Sequence, residues 1–351
     1  MANEAPPFWS TEPGWQAALL SPLSAAYGLV ASRRLENAPR TPVGVPVLCI
    51  GNPTVGGAGK TPAAIGFARA AKALGLAPGF LSRGHGGSLG RAHLVDPSHD
   101  SAKAVGDEPL LLAREAPTAV TADRAAGARL LIGEGCDFLI MDDGFQSGRI
   151  RQDFALLVVD AARGLGNGRV LPAGPLRAPV VAQLRHAHAV LKMGQGSAAD
   201  GFIRMASRAG RAIYEAEALA VAGSGVEGRD CLAFAGIGHP DKFFATVAAA
   251  GGAVKATRSF ADHHYYTDED LDSLVAEAEK DDLLLVTTAK DAVRMRHESP
   301  LASQLQQRLA VVEVEVRFTP ADIAERIIRE TLDNCARSDE LALSRASARP
   351  D

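Results

Sequence analysis

The 351-residue chain carries 37 basic and 41 acidic side chains, a formal net charge of -4, and is 47% hydrophobic. That balance excludes a general nucleic-acid binder, which needs a basic face, and a globally disordered chain, which could not bury enough apolar surface. Four cysteines (Cys49, Cys136, Cys231, Cys335) stand far apart with no C-x-x-C pair, so they read as reduced, buried thiols rather than a disulfide frame or a zinc site.

Residues 1–35 hold both tryptophans, Trp9 and Trp15, among Leu19, Leu20, Leu23, Tyr27, Leu29 and Val30, with Arg33 and Arg34 behind them. Such a segment fits a helix lying in a membrane interface or a helix packed on its own domain. It is too interrupted for a spanning helix, which needs about 18 apolar residues in a row. No basic n-region of a secretory signal precedes it.

From Val45 the chain alternates strand and helix. Strands are expected at Val45–Ile50, Gly79–Leu81, Thr118–Thr121, Phe138–Met141, Ala155–Asp160 and Ala189–Lys192. Helices are expected at Pro62–Leu74, around Leu110–Arg114, and from Asp123, a plausible cap, to Gly133. Short, continuously apolar strands between helices imply a parallel sheet covered on both faces. Residues 213–230, rich in Gly, Ala and Ser, read as an inter-domain linker between a core domain at 36–212 and a second, smaller α/β domain at 231–335. That domain has expected strands at Cys231–Ala235, Val254–Phe260, Leu283–Thr287 and Val311–Val316. Thr267 with Asp270 forms a capping-box pattern. A last helix is expected from Thr319-Pro320 to about Leu332, and residues 336–351 read as a frayed tail.

The chemistry concentrates in Thr54-Val55-Gly56-Gly57-Ala58-Gly59-Lys60-Thr61, between an apolar strand and a helix. This is the context of a phosphate-binding P-loop. Glycines let backbone N–H groups curl round phosphate oxygens, Lys60 reaches the β- and γ-phosphates, and Thr61 holds Mg²⁺. The helix N-terminus adds its positive end. Thr54 departs from the usual glycine at the first position. Asp142-Asp143, after the apolar run Phe138–Met141, sit where a P-loop protein keeps its metal-binding carboxylate. Asp107-Glu108, held out of helical geometry by Pro109, suit a catalytic base, a metal partner or a helix cap. Arg83 is a candidate phosphate contact. His263-His264 beside Asp262 could move a proton, and Lys290-Asp291 could meet a nucleotide base or cap a helix.

The ordered set Gly51–Pro62, Ser82–Gly87, Gly106-Asp107-Glu108-Pro109, Asp142-Asp143-Gly144-Phe145-Gln146, Leu171–Arg177, Asp262-His263-His264 and Thr287–Asp291 resembles the tetraacyldisaccharide 4′-kinase family, the lipid A 4′-kinases. The resemblance spans about residues 45–292, and that family also accepts Thr at the first P-loop position. It implies a P-loop NTPase-like fold and transfer of the ATP γ-phosphate to the 4′-hydroxyl of a lipid A disaccharide 1-phosphate. It implies Mg²⁺ held by Thr61 with Glu108, Asp142 and Asp143, catalysis by Lys60, Asp107 as base and His263 as its partner, and Arg83, Gln146 and Arg177 close to the reactants. It further implies a monotopic enzyme on the cytoplasmic face of the bacterial inner membrane, with residues 1–35 as interfacial anchor and no obligate protein partner. The rival reading, a switch ATPase of the ParA/MinD kind, needs a second Lys before the Gly-Gly, where this chain has Val55.

Overall fold

The computed structural model describes residues 5–84, 87–89, 91–295, 301–302, 305 and 309–347. His85 and Gly86 of the Ser82–Gly87 motif lie outside them.

After a first helix, α1 (Trp15–Glu36), the chain lays down β1 (Val47–Gly51), α2 (Lys60–Ala73), β2 (Pro78–Ser82), β3 (His93–Leu94), α3 (Ala102–Val105) and α4 (Asp107–Ala113). It continues with β4 (Thr118–Val120), α5 (Arg124–Gly133), β5 (Phe138–Asp142), β6 (Phe154–Asp160), α6 (Val180–His186), β7 (Ala189–Met193), α7 (Asp200–Arg208) and β8 (Ala212–Ala220). A smaller lobe follows with β9 (Asp230–Ala235), α8 (Pro240–Ala249), β10 (Ala253–Ser259), α9 (Asp268–Lys280), β11 (Leu284–Thr288), α10 (Ala289–Met295) and β12 (Ala310–Val312). The chain then returns to the larger lobe as β13 (Val314–Thr319) and a C-terminal helix, Ile323–Ser347.

The larger lobe is a nine-stranded sheet in the order β13-β8-β7-β6-β1-β5-β2-β4-β3, and the smaller one a four-stranded sheet in the order β10-β9-β11-β12. Pairing is parallel except at the two edges of the large sheet, β13 on β8 and β3 on β4. Alternate residues of β1 feed two cores. Leu48 and Ile50 meet Phe67, Phe154 and Ile327 on one face, and Val47 and Cys49 meet Leu139, Leu131 and Phe202 on the other. Burial on both faces is why these strands read as unbroken apolar runs. With β5 on one side of β1 and β6 on the other, the crevice at the carboxyl end of β1 is the switch point where open α/β sheets bind ligands. The expected caps are present: Asp123 accepts from the N–H groups of Ala125 and Ala126, and Thr267 and Asp270 form the reciprocal box.

Three expectations are corrected. The first part of the supposed linker at 213–230 is strand, because β8, ending at Ala220, pairs with β7 and, antiparallel, with β13. Its Ala- and Glu-rich sequence has weak strand propensity, which tertiary pairing overrides. The expected strand Val311–Val316 is divided at Glu313: Ala310–Val312 completes the small sheet while Val314–Thr319 joins the large one, so the last part of the supposed second domain belongs to the first core. Finally, residues 336–347 are helical rather than a frayed tail. Arg151 ties Asp339 at 2.8 Å and lies 3.2 Å from Cys335 Sγ, fixing the helix against the sheet.

Helix α1 is inverted relative to an ordinary surface helix. Its buried residues are small, Ala17, Ser24 and Gly28, with Leu35 at the end. Trp15 is 73% exposed, Leu19 72%, Leu23 63% and Val30 49%, forming an outward apolar face. Ser24 Oγ donates to Val170 O at 2.7 Å and Trp9 Nε1 to Pro172 O at 3.1 Å, so the N-terminal segment is docked on the loop before α6. Among the described residues no helix is long and apolar enough to cross a membrane.

Candidate active site

The P-loop leaves β1 at Gly51 and enters α2 at Lys60. Gly59 caps that helix at φ 85°, and a Cβ there would lie 2.9 Å from Met193 Cγ, so both backbone and space demand glycine. The loop is braced from outside. Val55 N donates to Pro175 O at 2.9 Å, Arg177 Nε to Thr54 O at 3.0 Å, and Asn52 Nδ2 to Gly56 O at 3.0 Å. Gln146 Nε2 donates to Asn52 O at 3.3 Å, and the buried Gln183 Nε2 to Pro53 O at 3.1 Å. Ala58 is buried, while Gly57 has open space around it.

Lys60 is 8% exposed, donates to Asn52 Oδ1 at 3.1 Å, and lies 3.7 Å from Asp143 Oδ1. Thr61 Oγ1 donates to Asp142 Oδ2 at 3.3 Å. Arg177 closes the group with a 3.0 Å contact to Asp143 Oδ2. Burial and the nearby Glu108 charge push the Asp142 carboxyl up to about 7. Burial acts the same way on Asp143, but Lys60 and Arg177 outweigh it and hold Asp143 below the ordinary carboxylate value.

Opposite stand Asp107 and Glu108, at the start of α4, facing α10 of the smaller lobe. Lys290 Nζ meets Glu108 Oε1 at 2.6 Å, while Arg294 Nε and Nη2 meet Asp107 Oδ2 at 2.8 and 2.6 Å. His263 Nδ1 lies 3.2 Å from the same Asp107 oxygen. Asp107 Oδ1 accepts the N–H of Glu108 at 2.9 Å. Burial opposes ionisation of Asp107, yet the hydrogen bond from His263 and the charges of Arg294 and Lys290 prevail and hold it well below the usual carboxylate range. The hydrogen bond to Asp107 raises His263 above its ordinary value despite partial burial. Lys290, then Lys60, keep Glu108 low. Asp143 at φ 52° and His263 at φ 59° are two of the few non-glycine residues in left-handed backbone. Such strain, about 1–3 kcal/mol each, collects at functional sites.

A divalent cation fits this donor set. Oδ1 of Asp142 and Oδ1 of Asp143 are buried without a hydrogen-bond partner, and Thr61 Oγ1 is beside Asp142. Among the described residues no three side chains form a complete metal cage. That is the arrangement Mg²⁺ favours, with one or two carboxylates from the protein and the rest of the shell from phosphates and water.

The fold thus gathers Thr54 to Thr61, Asp142, Asp143, Gln146 and Arg177 around one end of β1, and Asp107, Glu108 and His263 at the junction with the smaller lobe. Arg83 ends up exposed after β2, with no hydrogen bond or ion pair among the described residues. Four residues escaped sequence reasoning. Asn52 and Gln183 brace the P-loop, and Arg294 clamps Asp107. Arg124, 2% exposed, is buried with Nη1 unpartnered among the described residues. Asn52 adjoins the loop and could have been found. Arg124, Gln183 and Arg294 carry no motif of their own. Lys290 proves to be a partner of Glu108, and Asp291 is an interior anchor that accepts from Gly236 N at 3.0 Å and Tyr266 Oη at 2.8 Å.

Comparison with known proteins follows the same lines. The family model for tetraacyldisaccharide-1-P 4′-kinase matches residues 16–332. A protein of Mesorhizobium japonicum named tetraacyldisaccharide 4′-kinase is 58% identical over 334 residues, covering 95% of this chain and 97% of its own. One of Brucella suis with the same name is 53% identical over 328 residues, covering 93% and 96%. A crystal structure of LpxK from Aquifex aeolicus in complex with ATP superposes with a TM-score of 0.69 at 21% identity, covering 90% of this chain and 99% of that one. The fold is therefore the P-loop NTPase-like one expected, and the chain belongs to the tetraacyldisaccharide-1-P 4′-kinase family.

Proposed function

We propose that the protein transfers the γ-phosphoryl group of ATP to the 4′-hydroxyl of a tetraacyl disaccharide 1-phosphate, a step of lipid A synthesis. One observation supports this above the others: a braced P-loop with Lys60 and Thr61, whose Lys60 charge acts on Glu108, is accompanied by a carboxylate–imidazole pair, buried Asp107 and partly exposed His263, drawn from two lobes. A nucleotide switch needs the first half of that arrangement and has no use for the second.

Phosphoryl transfer asks for positioning and charge neutralisation more than for covalent help. The P-loop amides and Lys60 hold the β- and γ-phosphates, and Arg177 keeps Asp143 and the loop in register. Thr61, Asp142 and Asp143 would hold Mg²⁺, which would supply charge neutralisation at the transferring group, whereas Glu108, also expected at the metal, is engaged by Lys290 at 2.6 Å. The 4′-oxygen forms its bond to Pγ as the bond from Pγ to the bridging oxygen of ADP breaks, and the hydroxyl proton passes to the Asp107–His263 pair. The expectation was Asp107 as base with His263 as its partner; the exposures favour the reverse division of labour. Asp107 is 4% exposed and both its oxygens are engaged, whereas the His263 side chain is 43% exposed. The imidazole is thus the member of the pair that a sugar hydroxyl reaches, and Asp107 orients it and raises its basicity.

The test is a phosphotransfer assay with [γ-³²P]ATP, Mg²⁺ and detergent-dispersed tetraacyl disaccharide 1-phosphate. Label in the lipid is the expected result. Phosphate release that ignores the lipid would instead identify a switch ATPase.

The acceptor's acyl chains place the reaction at a membrane surface. The outward apolar face of α1, with Arg33 and Arg34 in its last turn, is the part of the chain suited to lie in the interface. No span is needed, and the cytoplasmic face of the inner membrane, where ATP is present, is the proposed location. Changing Trp15, Leu19 and Leu23 to Ser removes exposed apolar area each worth about 1.5–3 kcal/mol when buried. Co-sedimentation with anionic phospholipid vesicles is expected to fall at least about tenfold, with detergent-phase turnover unchanged. Equal sedimentation of variant and parent would exclude this face as the anchor.

A further inference from the structure

Arg294 is 1% exposed and is among the largest wholly buried side chains of the protein. Its guanidinium reaches three places at once. Nε and Nη2 grip Asp107 Oδ2, in the larger lobe, at 2.8 and 2.6 Å. Nη1 donates to Gly236 O at 2.6 Å and to Asp291 Oδ1 at 2.8 Å, in its own lobe. Gly236 O also accepts the backbone N–H of His263 at 3.0 Å. One side chain therefore holds Asp107 by its carboxylate and, through a shared carbonyl, the backbone of His263. The Asp107–His263 separation of 3.2 Å is set between those two grips. Asp291, 0% exposed, backs the guanidinium and is itself fixed by Gly236 N, Tyr266 Oη and Thr288 Oγ1.

From this geometry we propose that Arg294 is a positioning residue for phosphoryl transfer: it spans the two lobes and sets the Asp107–His263 pair, while touching neither nucleotide nor acceptor. The inference rests on the kinase reading above and adds to it a residue that acts through the pair. The chemistry calls for arginine in particular. A planar fork with fixed N–H directions meets a carboxylate oxygen on one side and a carbonyl with a second carboxylate on the other, which the single ammonium of lysine cannot do. A displacement of about 1 Å at a reacting pair costs on the order of 10²-fold in rate.

The experiment is a double-mutant cycle with Arg294→Lys and His263→Ala, read as kcat on ATP and detergent-dispersed tetraacyl disaccharide 1-phosphate, with thermal midpoints measured in parallel. In the parent, Arg294→Lys is expected to lower kcat about 10- to 100-fold, leaving the KM for ATP within about twofold because the P-loop is untouched. In the His263→Ala background the same change is expected to lower kcat less than about threefold, since the pair it sets no longer exists. A purely architectural arginine would cost the same factor in both backgrounds, and that result overturns the proposal. If Arg294→Lys does not fold, Tyr266→Phe, which removes the 2.8 Å donor to Asp291, enters the cycle in its place. An equal cost in both backgrounds again overturns the proposal, and a cost confined to the parent supports it. Absence of lipid phosphorylation by the parent protein would sink the kinase reading itself, an outcome distinct from either.

Discussion

Replacing Lys60 with methionine is expected to lower phosphotransfer on the order of 10³-fold, the scale on which a preorganised charge at a transferring group acts. The side chain is 8% exposed and is aimed by Asn52 Oδ1 at 3.1 Å, so its charge is already in place before substrate arrives. Methionine keeps the stem's volume. The loss of charge leaves Asp143 paired with Arg177 at 3.0 Å, so no carboxylate is orphaned and the folded state survives. Steady-state kcat at saturating lipid and ATP, with circular dichroism as control, measures this. A variant within tenfold of the parent would remove Lys60 from the phosphate site.

Asp107→Ala is expected to lower kcat about 10²- to 10⁴-fold, the span of general acid–base catalysis, and to destabilise the protein by about 3 kcal/mol. The second effect arises because Arg294, 1% exposed, loses its main counterion and an uncompensated buried charge costs about 3–5 kcal/mol. Asp291, 2.8 Å away, keeps the loss at the lower end. His263→Ala separates the two effects. Its ring is 43% exposed, so turnover falls while the denaturant midpoint barely moves. A stability loss in His263→Ala equal to that of Asp107→Ala would contradict the burial argument.

The pH dependence carries a sign. The imidazole must be neutral to take a proton, and Asp107 raises it above its ordinary value, with Asp262 at 3.9 Å adding to the rise and Arg294 opposing it. Turnover therefore climbs with pH through a value above the usual histidine pKa of about 6.5. In Asp107→Asn, whose residual activity is low but measurable with labelled ATP, that limb moves to lower pH. For stability the two groups work in opposite directions. The depressed Asp107 contributes fully above the unfolded carboxylate pKa of about 4, and the contribution is lost as pH falls from there. The raised His263 contributes below its unfolded value of about 6.5 and loses that contribution as pH rises through its folded value.

Much of this molecule was legible before folding was considered, because local chemistry decides local structure. The strand, Gly-rich turn and Lys60-Thr61 helix start can be read from one stretch, since only glycine meets φ 85° at Gly59. The Asp123 cap and the Thr267–Asp270 box are likewise bonds within a few residues of chain. Asp142-Asp143 at a strand end stood out, as two adjacent carboxylates after an apolar run are costly unless a cation or backbone donors offset them. Family resemblance then supplied Asp107 and His263 as partners, although they stand 156 residues apart.

What only the tertiary structure decided is everything that depends on distant segments meeting. Strand β8 looks like linker until β13 returns from beyond the smaller lobe to pair with it. The segment after residue 335 looks like tail until Arg151 and the underside of the sheet receive it. Which side of helix α1 packs inward is not legible until its small residues are found facing the domain and Trp15, Leu19 and Leu23 outward. Arg294 sits in an ordinary helical stretch, and nothing near it in sequence announces a buried guanidinium joining Asp107 to the His263 loop. The sequence by itself determined the nucleotide loop, the parallel α/β core and the family, because those rest on short-range backbone demands and on an ordered set of motifs. Which strands close the sheet, which face of α1 is bare and what holds Asp107 and His263 together were settled by long-range packing, where a residue's partner is set by topology and not by spacing.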